Sequence, residues 1–357
     1  MKFNVNLKQF QEVLKKAEYC LDKKMTLPVL KSILLVAENN KLTITATDLC
    51  TTVNLYLEID TQIEGETILD LETIKIIKKL KDDYITVTEN AIISGKKTLK
   101  FSPLDLETFP KNDYNIPEKL FTLDNMKELI KIKYASGIDN PRTVFNSIVL
   151  NRDNLISTDT HRVAFRKLPF DTQFDNIIIP IKTINIIDKI LGNKDNNSFD
   201  ISINKNKIYF MNNDMTIASR LIEGNIPDFN QVIPKNNENT ITVNRKDFLE
   251  ELEFLPSINH LIVMRIEEWK MMVGSKNEFN IITEQIPILN KNNLKLDIGV
   301  NVNFIIDVLK NYEEKEVNFN FSDNRFNPFT ITAGDKLDLI LVLRLNDDEL
   351  EGYFEVA

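Results

Sequence analysis

Thr183-Ile-Asn-Ile-Ile-Asp-Lys-Ile-Leu191 decides the fold, because the chain carries this stretch three times. Thr73-Ile-Lys-Ile-Ile-Lys-Lys-Leu80 stands upstream and Val302-Asn-Phe-Ile-Ile-Asp-Val-Leu309 downstream. Aligning Ile76-Ile77, Ile186-Ile187 and Ile305-Ile306 sets the copies 110 and 119 residues apart. Ile184, Ile187, Ile190 and Leu191 fall at helical spacing, so each copy predicts an amphipathic helix. Such a helix cannot bury its apolar face alone, so three of them in equivalent places imply three copies of one domain.

The 357 residues accommodate three units of that size, each able to build its own core. A formal charge of −9 runs against a general nucleic-acid binder, which is usually basic. Contact with nucleic acid, if it occurs, is confined to one local surface. Cys20 and Cys50 make neither a disulfide framework nor a zinc pattern and read as reduced, mostly buried thiols. No metal or cofactor is expected. The N-terminus lacks a signal-peptide run and no apolar stretch suits a membrane, so the expectation is a cytoplasmic protein without membrane contact.

Read outward from the repeated helix, each unit runs helix, strands, helix, strands, an α+β pattern with mainly antiparallel sheet. The first unit predicts a helix over Leu7–Tyr19, strands over Ser32–Val36, Lys41–Ala46 and Thr52–Ile59, the repeated helix over Leu71–Lys81, and strands at Tyr84–Thr88, Ala91–Ser94 and Thr98–Ser102. The second predicts a helix over Leu123–Ser136, strands at Val144–Leu150, Asn154–Thr158 and Arg162–Leu168, the repeated helix, and three more strands to Ile222. The third predicts a helix over Arg245–Phe254, strands at Leu261–Ile266, Lys270–Ser275 and Glu278–Ile282, the repeated helix, and strands ending with Leu337–Leu345. Lys111–Pro117 and Pro234–Asn239 read as linkers. The domains are then 1–117, 118–237 and 238–345, followed by an extension, 346–357.

Thr158-Asp-Thr-His-Arg162 is the most chemical-looking run. A catalytic reading makes His161 a general base oriented by Asp159. Thr47-Asp48 occupies the matching place in the first unit and Thr283-Glu284 in the third, and a feature that recurs in every unit reads better as strand-end structure, a side chain satisfying backbone N–H groups. Nine glycines, with no phosphate-binding loop, no metal-ligand cluster and no nucleophile elbow, leave the enzyme reading with little else. His260 reads as an incidental surface residue. Lysines gather on particular helices: Lys75, Lys78, Lys79 and Lys81 on the first repeated helix, Lys127, Lys131 and Lys133 on the helix beginning near Leu123, and Lys182, Lys189 and Lys194 around the middle copy. They read either as a solvated face or as a local surface for phosphates.

Thr-Asp-Thr-His-Arg-Val-Ala164, Glu-Gly-Asn-Ile-Pro-Asp-Phe229 through Pro234-Lys235, Asn301 through Leu309, the opening Met-Lys-Phe and Thr26-Leu-Pro-Val-Leu30 together resemble the bacterial DNA polymerase III beta subunit family, the sliding clamps. The resemblance spans residues 1 to about 345 and implies three tandem clamp domains per chain, with two chains closed head to tail into a ring. Helices line the hole of such a ring and sheets form its rim, so lysines face duplex DNA without reading sequence while the acidic exterior stays clear of it. The implied function is a DNA polymerase processivity factor that is not an enzyme. It tethers the replicative polymerase and clamp loader through short peptides carrying Leu and Phe.

Carried over position by position, the resemblance places the peptide pocket at Val144, Phe145, Thr158, Thr160, His161, Arg162, Val163, Pro227 and Val232, with Asn301, Phe304, Phe326, Pro328, Leu339, Leu341, Val342, Leu343 and Arg344 from the third unit. It places Phe101, Phe254 and Leu255 at the dimer interface, and Lys24 with Lys75, Lys78, Lys79, Lys127, Lys131 and Lys189 toward DNA. Three departures stand out. Thr160 replaces a common Gly, Val342 replaces a Pro, and residues 346–357 extend beyond the usual stop near Leu345. The extension reads either as an acidic disordered tail or as a segment whose Leu350, Tyr353 and Phe354 fold into the pocket and compete with partners. A paralogous or mobile-element clamp with altered partners, and a monomeric scaffold that never encircles DNA, are the alternative readings.

Overall fold

The computed structural model describes residues 1–22, 27–110, 116–192 and 198–354. Lys24, Lys194 and most of the first predicted linker lie outside them. The first repeat runs β1 (Lys2–Asn6), α1 (Leu7–Ala17), β2 (Ser32–Glu38), β3 (Lys41–Thr47), β4 (Thr51–Glu58), β5 (Asp60–Ile63), β6 (Gly65–Asp70), α2 (Leu71–Ile77), β7 (Tyr84–Thr88), β8 (Ala91–Ser94) and β9 (Lys97–Lys100). The second runs β10 (Phe121–Leu123), α3 (Met126–Lys131), β11 (Ser147–Asn151), β12 (Asn154–Thr158), β13 (Arg162–Lys167), β14 (Ile177–Pro180), α4 (Ile181–Leu191), β15 (Phe199–Asn204), β16 (Lys207–Met211) and β17 (Met215–Arg220). The third runs β18 (Asn239–Asn244), α5 (Arg245–Glu253), β19 (Leu261–Ile266), β20 (Lys270–Lys276), β21 (Ile281–Pro287), β22 (Leu289–Asn290), β23 (Leu296–Asn301), α6 (Val302–Asn311), β24 (Glu316–Phe321), β25 (Phe329–Ala333) and β26 (Lys336–Ile340), followed by a short α7 (Asp347–Glu351).

The repeated helices are α2, α4 and α6. Each starts where a strand ends. Asp70 caps α2 by accepting the Thr73 N–H (2.7 Å), and Asn301 caps α6 by accepting that of Asn303 (3.0 Å). Gly192, at φ 59°, stops α4. The predicted faces are buried: Ile74 and Ile77 in α2, Ile184 and Ile187 in α4, Ile305 and Leu309 in α6, each with no exposed surface. Burying one such side chain contributes about 1.5–3 kcal/mol. The third copy needs a corrected register. Helix starts are 110 and 121 residues apart, so the pair Ile305-Ile306 sits two positions earlier in its helix than the other pairs.

Other boundaries also differ from expectation. The helix predicted from Leu123 is a short strand, then α3, then a 3₁₀ turn over Ile132–Ala135. Thr143–Phe145 is 3₁₀ rather than strand, and the last strand ends at Ile340, not Leu345.

Packing gathers the described chain into two compact bodies, Met1–Ile130 with Ile179–Ile222, and Lys131–Ile178 with Glu223–Ala357. The first holds a five-stranded sheet, β5-β1-β7-β8-β9, and an eight-stranded one, β10-β15-β16-β17-β4-β3-β2-β6. The second holds the four-stranded sheet β21-β20-β19-β23 and most of a nine-stranded one, β14-β11-β12-β13-β26-β25-β24-β18-β22. All the described ladders are antiparallel. In each body a sheet crosses from one repeat to the next. β4 of the first repeat pairs with β17 of the second, Thr51 opposite Ser219. β13 of the second pairs with β26 of the third, Arg162 opposite Ile340. In both cases the third strand after a repeat's first helix takes the last strand of the following repeat.

Candidate functional site

The Thr158–Arg162 run is a turn between β12 and β13 built by its own side chains. The Thr158 hydroxyl accepts the Thr160 N–H (3.1 Å) and donates to the Arg162 carbonyl (2.6 Å). Asp159 Oδ1 accepts the N–H groups of His161 (2.9 Å) and Arg162 (3.0 Å). Its Oδ2 accepts from Arg162 Nε at 2.9 Å. Both carboxylate oxygens are thus committed to the turn and to Arg162, and neither orients the imidazole. The general-base reading of His161 loses its second member.

The same bonds recur at Thr47–Thr51. Thr47 Oγ1 accepts the Leu49 N–H, and Asp48 Oδ1 accepts those of Cys50 and Thr51. The expected third copy is wrong. Thr283 and Glu284 lie inside β21, paired with Gly274 and Val273. The equivalent turn is Asn277–Asn280, where Asn277 Oδ1 accepts the N–H groups of Phe279 (2.9 Å) and Asn280 (2.8 Å). Residue type hid it: an amide replaces the carboxylate, and Lys276 replaces the threonine.

Around the second turn the structure brings many of the residues named for the pocket close together. The rings of His161 and Phe304 stack at 6.4 Å. The Arg162 guanidinium lies over Phe304 (4.6 Å), donates to Asp307 (2.7 Å) and reaches the Tyr134 carbonyl. Leu341 N–H donates to the His161 carbonyl (2.9 Å), and Val163 pairs with Leu339. Phe304 and Val342 pack on the third-repeat core. Asn301 serves as the α6 cap. Thr158, Phe145, Val163 and Leu339 are buried and act as foundation, whereas His161, Thr160, Val232, Leu343 and Arg344 are exposed and Val144 and Pro328 half-buried. Thr160 takes φ 81°, the left-handed region that a Gly would occupy without strain.

Two further clefts flank this cluster. Pro227 lines one of about 440 Å³ with Phe165, Phe229 and Leu337. Phe165 and Leu337 are two residues along from Val163 and Leu339, hence on the same sheet face. Phe326 and Arg344 line another of about 640 Å³ with Asn346 and Glu349. Sequence reasoning missed Tyr134 and Asp307, the groups that hold Arg162. Asp307 carried a weak signal, one helical turn from Phe304.

Beneath the site lies a buried ion pair, Arg166 with Asp338 (2.9 Å), both nearly inaccessible. Tyr134 and Tyr312 donate their hydroxyls to the same carboxylate. Burial and that negative charge push both phenols well above their ordinary range. Burial alone would lower the Arg166 pKa, but the carboxylate and the two tyrosines more than offset it and hold the guanidinium charged.

The other predicted residues fare unevenly. Lys75 is paired with Glu72, Lys78 with Glu18 and Lys131 with Glu313, so they are not bare cations. Lys79 and Lys189 are exposed, without an ion pair among the described residues. Lys127 is half-buried with a partner of its own. Phe101 is half-buried just beyond β9 and Phe254 is exposed, but Leu255 is fully buried in the third-repeat core and cannot meet a partner chain. Cys20 is buried as expected, whereas Cys50 is exposed. The extension matches neither reading. Residues 347–351 are helical, and Leu350 and Tyr353 are buried on Val263 of β19 rather than against His161 or Phe304.

Among the described residues, no group of side chains suits a metal ion and no helix is long and apolar enough to cross a membrane. Sequence models of the DNA polymerase III beta subunit match in order: the N-terminal domain over residues 1–117, the central domain over 121–228 and the C-terminal domain over 230–339. The beta sliding clamp of Staphylococcus epidermidis is 25% identical over 96% of this chain and 99% of its own, and that of Rickettsia bellii 27% over 90% and 93%. Among solved structures, a putative DNA polymerase III beta subunit from Eubacterium rectale superposes with a TM-score of 0.89 at 21% identity, and a Bartonella birtlesii sliding clamp bound to griselimycin with 0.88 at 24%. Each covers 97% of this chain and all of its own. Three domain models in sequence, spanning almost the whole chain, on a fold of three matching repeats, place this protein in the DNA polymerase III beta subunit family, the bacterial sliding clamps.

Proposed function

We propose that this chain is a replication processivity factor: two copies close head to tail around duplex DNA, slide on it, and tether a polymerase or loader peptide at the His161–Phe304 pocket. The domain limits are those read from the sequence, 1–117, 118–237 and 238–345. The observation that carries the reading is the sheet rule at the repeat junctions. β21 is the third strand after the first helix of the third repeat, and among the described strands none pairs with its outer edge. β9 is the last strand of the first repeat, and among the described strands its outer edge is likewise unpaired. Both lie at the edge of their sheets. An open edge seeks a strand, and a second copy brings the complementary one.

The register follows from the two junctions inside the chain. The residue three after the turn's Asp pairs with the residue four after the hairpin-closing position of the last strand: Arg162 with Ile340, four after Lys336, and Thr51 with Ser219, four after Met215. In the third repeat the turn residue is Asn277, and Lys97 closes the β8–β9 hairpin. Asn280 then meets Phe101 of the second copy, Ile282 meets Leu99, and Glu284 meets Lys97. An apolar pair and an opposite-charge pair fall opposite each other, each contributing about 0.2–1 kcal/mol.

The test is solution mass by light scattering on dilution, with charge swaps. Twice 41.3 kDa is expected, with Glu284→Lys and Lys97→Glu each weakening the dimer and the double swap restoring it. A mass of one chain throughout would remove the ring. Retention on circular but not linear DNA, weakened by Lys79→Glu with Lys189→Glu, tests encirclement.

A further inference from the structure

Resting on the pocket reading above, we propose that residues 346–354 are a strap that holds the third-repeat wall of the peptide site in place, so that removing them weakens peptide binding rather than relieving competition. Strands alternate their faces. Ile262, Met264 and Ile266 of β19 enter the third-repeat core, which leaves Val263 and Arg265 on the outer face. The strap lies on that face. Leu350 and Tyr353 are buried against Val263, and Leu261, Leu345 and Phe354 complete the cluster. Gly274 stands opposite Val263 on β20, and its missing side chain is what admits the strap. A Cβ there would lie 2.8 Å from the Tyr353 carbonyl oxygen.

Ion pairs fix the strap at both ends. Arg265 donates to Glu351 (2.7 Å) and lies under the Phe354 ring at 4.3 Å. Arg325 donates to Asp347 at 2.5 Å. At the start of the strap Asn346 and Glu349 close a reciprocal capping box. Leu350 and Tyr353 are therefore committed to the sheet, which excludes the notion that they occupy the pocket.

What the strap restrains is the pocket wall. The segment after β26 leaves the His161 carbonyl at Leu341 and is held next at Leu343, whose N–H donates to the Gly299 carbonyl (2.8 Å). Leu345 packs on Gly299, where an added Cβ would meet its side chain at 2.6 Å. The strap begins one residue later. Its partner Arg325 also lies over the Phe326 ring (4.9 Å), so one guanidinium couples the strap to a pocket side chain. Phe326 and Arg344 face the same 640 Å³ groove as Asn346 and Glu349, which makes the strap the outer wall of the site. Ordering that wall in advance removes an entropic cost that a peptide would otherwise bear on binding.

The experiment compares the full chain, a variant lacking residues 347–357, and full-length Leu350→Asp, which undocks the strap without shortening the chain. A fluorescein-labelled short peptide carrying adjacent Leu and Phe reports affinity by polarisation, and hydrogen exchange reports protection of the Leu343 amide. Both variants should lose affinity about tenfold and lose Leu343 protection. Unchanged or tighter binding in both, with Leu343 still protected, overturns the strap. If the full chain itself fails to bind the peptide, the pocket reading fails, and Leu343 exchange alone then decides the strap: faster exchange in both variants upholds it as a structural brace, and unchanged exchange removes it.

Discussion

The Thr47–Thr51 and Thr158–Arg162 turns share a backbone scaffold and differ in what they do with it. In both, a threonine hydroxyl and an aspartate oxygen accept three successive N–H groups. In both, the residue after the aspartate is left-handed, Leu49 at φ 74° and Thr160 at 81°. The first turn is sealed underneath, although Leu49 and Cys50 at its tip are exposed. Asp48 is buried and pairs with Lys182 at 2.5 Å, while Thr51, Thr183 and Ser219 join hydroxyls in a buried chain. The second is open. Where the first has Cys50, also exposed, and a buried Thr51, it has His161 and an Arg162 that reaches Phe304 and Asp307. One scaffold thus serves as a joint between repeats and, with three residues changed, carries the proposed pocket residues at the next joint.

The widest gap between the two lies underneath. The sealed turn rests on neutral hydroxyls, and the open one on the Arg166–Asp338 pair. Asp338→Ala would leave Arg166 charged and buried and take the acceptor from the Tyr134 hydroxyl, so it should cost about 3–5 kcal/mol in urea unfolding. Ser219→Ala, which breaks the hydroxyl chain, should cost about 1 kcal/mol. Equal losses would mean that the ion pair does not underpin the open site.

Removing the turn aspartates separates scaffold from surroundings. Asp48→Ala and Asp159→Ala each strip the acceptor from two backbone N–H groups, for about 1–3 kcal/mol. Asp48 should lie at the upper end, because its carboxylate is buried, whereas water can reach that of Asp159. A larger loss at Asp159 would show that its ties to Arg162 outweigh burial.

The comparison also marks what the sequence could and could not disclose. The repeated helices were legible because apolar periodicity survives drift in the other residues: Ile184 and Ile187 stayed apolar because they are buried. Short strands such as β5, β10 and β14 were not, since three or four residues carry too little alternation. The third turn was misplaced because its scaffold needs a side-chain oxygen, not a carboxylate, so Asn277 fills the role without resembling Asp48. Of the partners of Arg162, Asp307 carried only a weak signal, for a different reason. Asp307 lies 145 residues away, and nothing local records a contact made by strand pairing across repeats. The strap shows the same limit. Leu350 and Tyr353 are at helical spacing, but only the Gly274 gap reveals where they dock.

Function should separate the turns at one position. His161→Ala removes the ring stacked on Phe304, and peptide affinity measured by polarisation should fall about tenfold, or 1.4 kcal/mol, with little change in stability. Cys50→Ala, at the equivalent site, should leave peptide affinity where it was. Loss in both would place the peptide elsewhere.

The smallest effect tests the strain the two turns share. A β-branched residue in the left-handed region is the least favourable case, and Thr160 is one, whereas Leu49 is not β-branched. Thr160→Gly should therefore raise stability by about 0.5–1 kcal/mol, relief of strain of about 1–3 kcal/mol less the added freedom of glycine in the unfolded chain. Leu49→Gly should gain less, because it also gives up a side chain on the sealed turn. The strain at Thr160 persists because the Thr158 and Asp159 bonds hold the turn from both sides. If Thr160→Gly stabilises the protein and leaves peptide affinity unchanged, the threonine is a tolerated departure. If it stabilises the protein and weakens the peptide, the strain serves to hold a methyl and a hydroxyl at the pocket edge, which the sealed turn has no need to do.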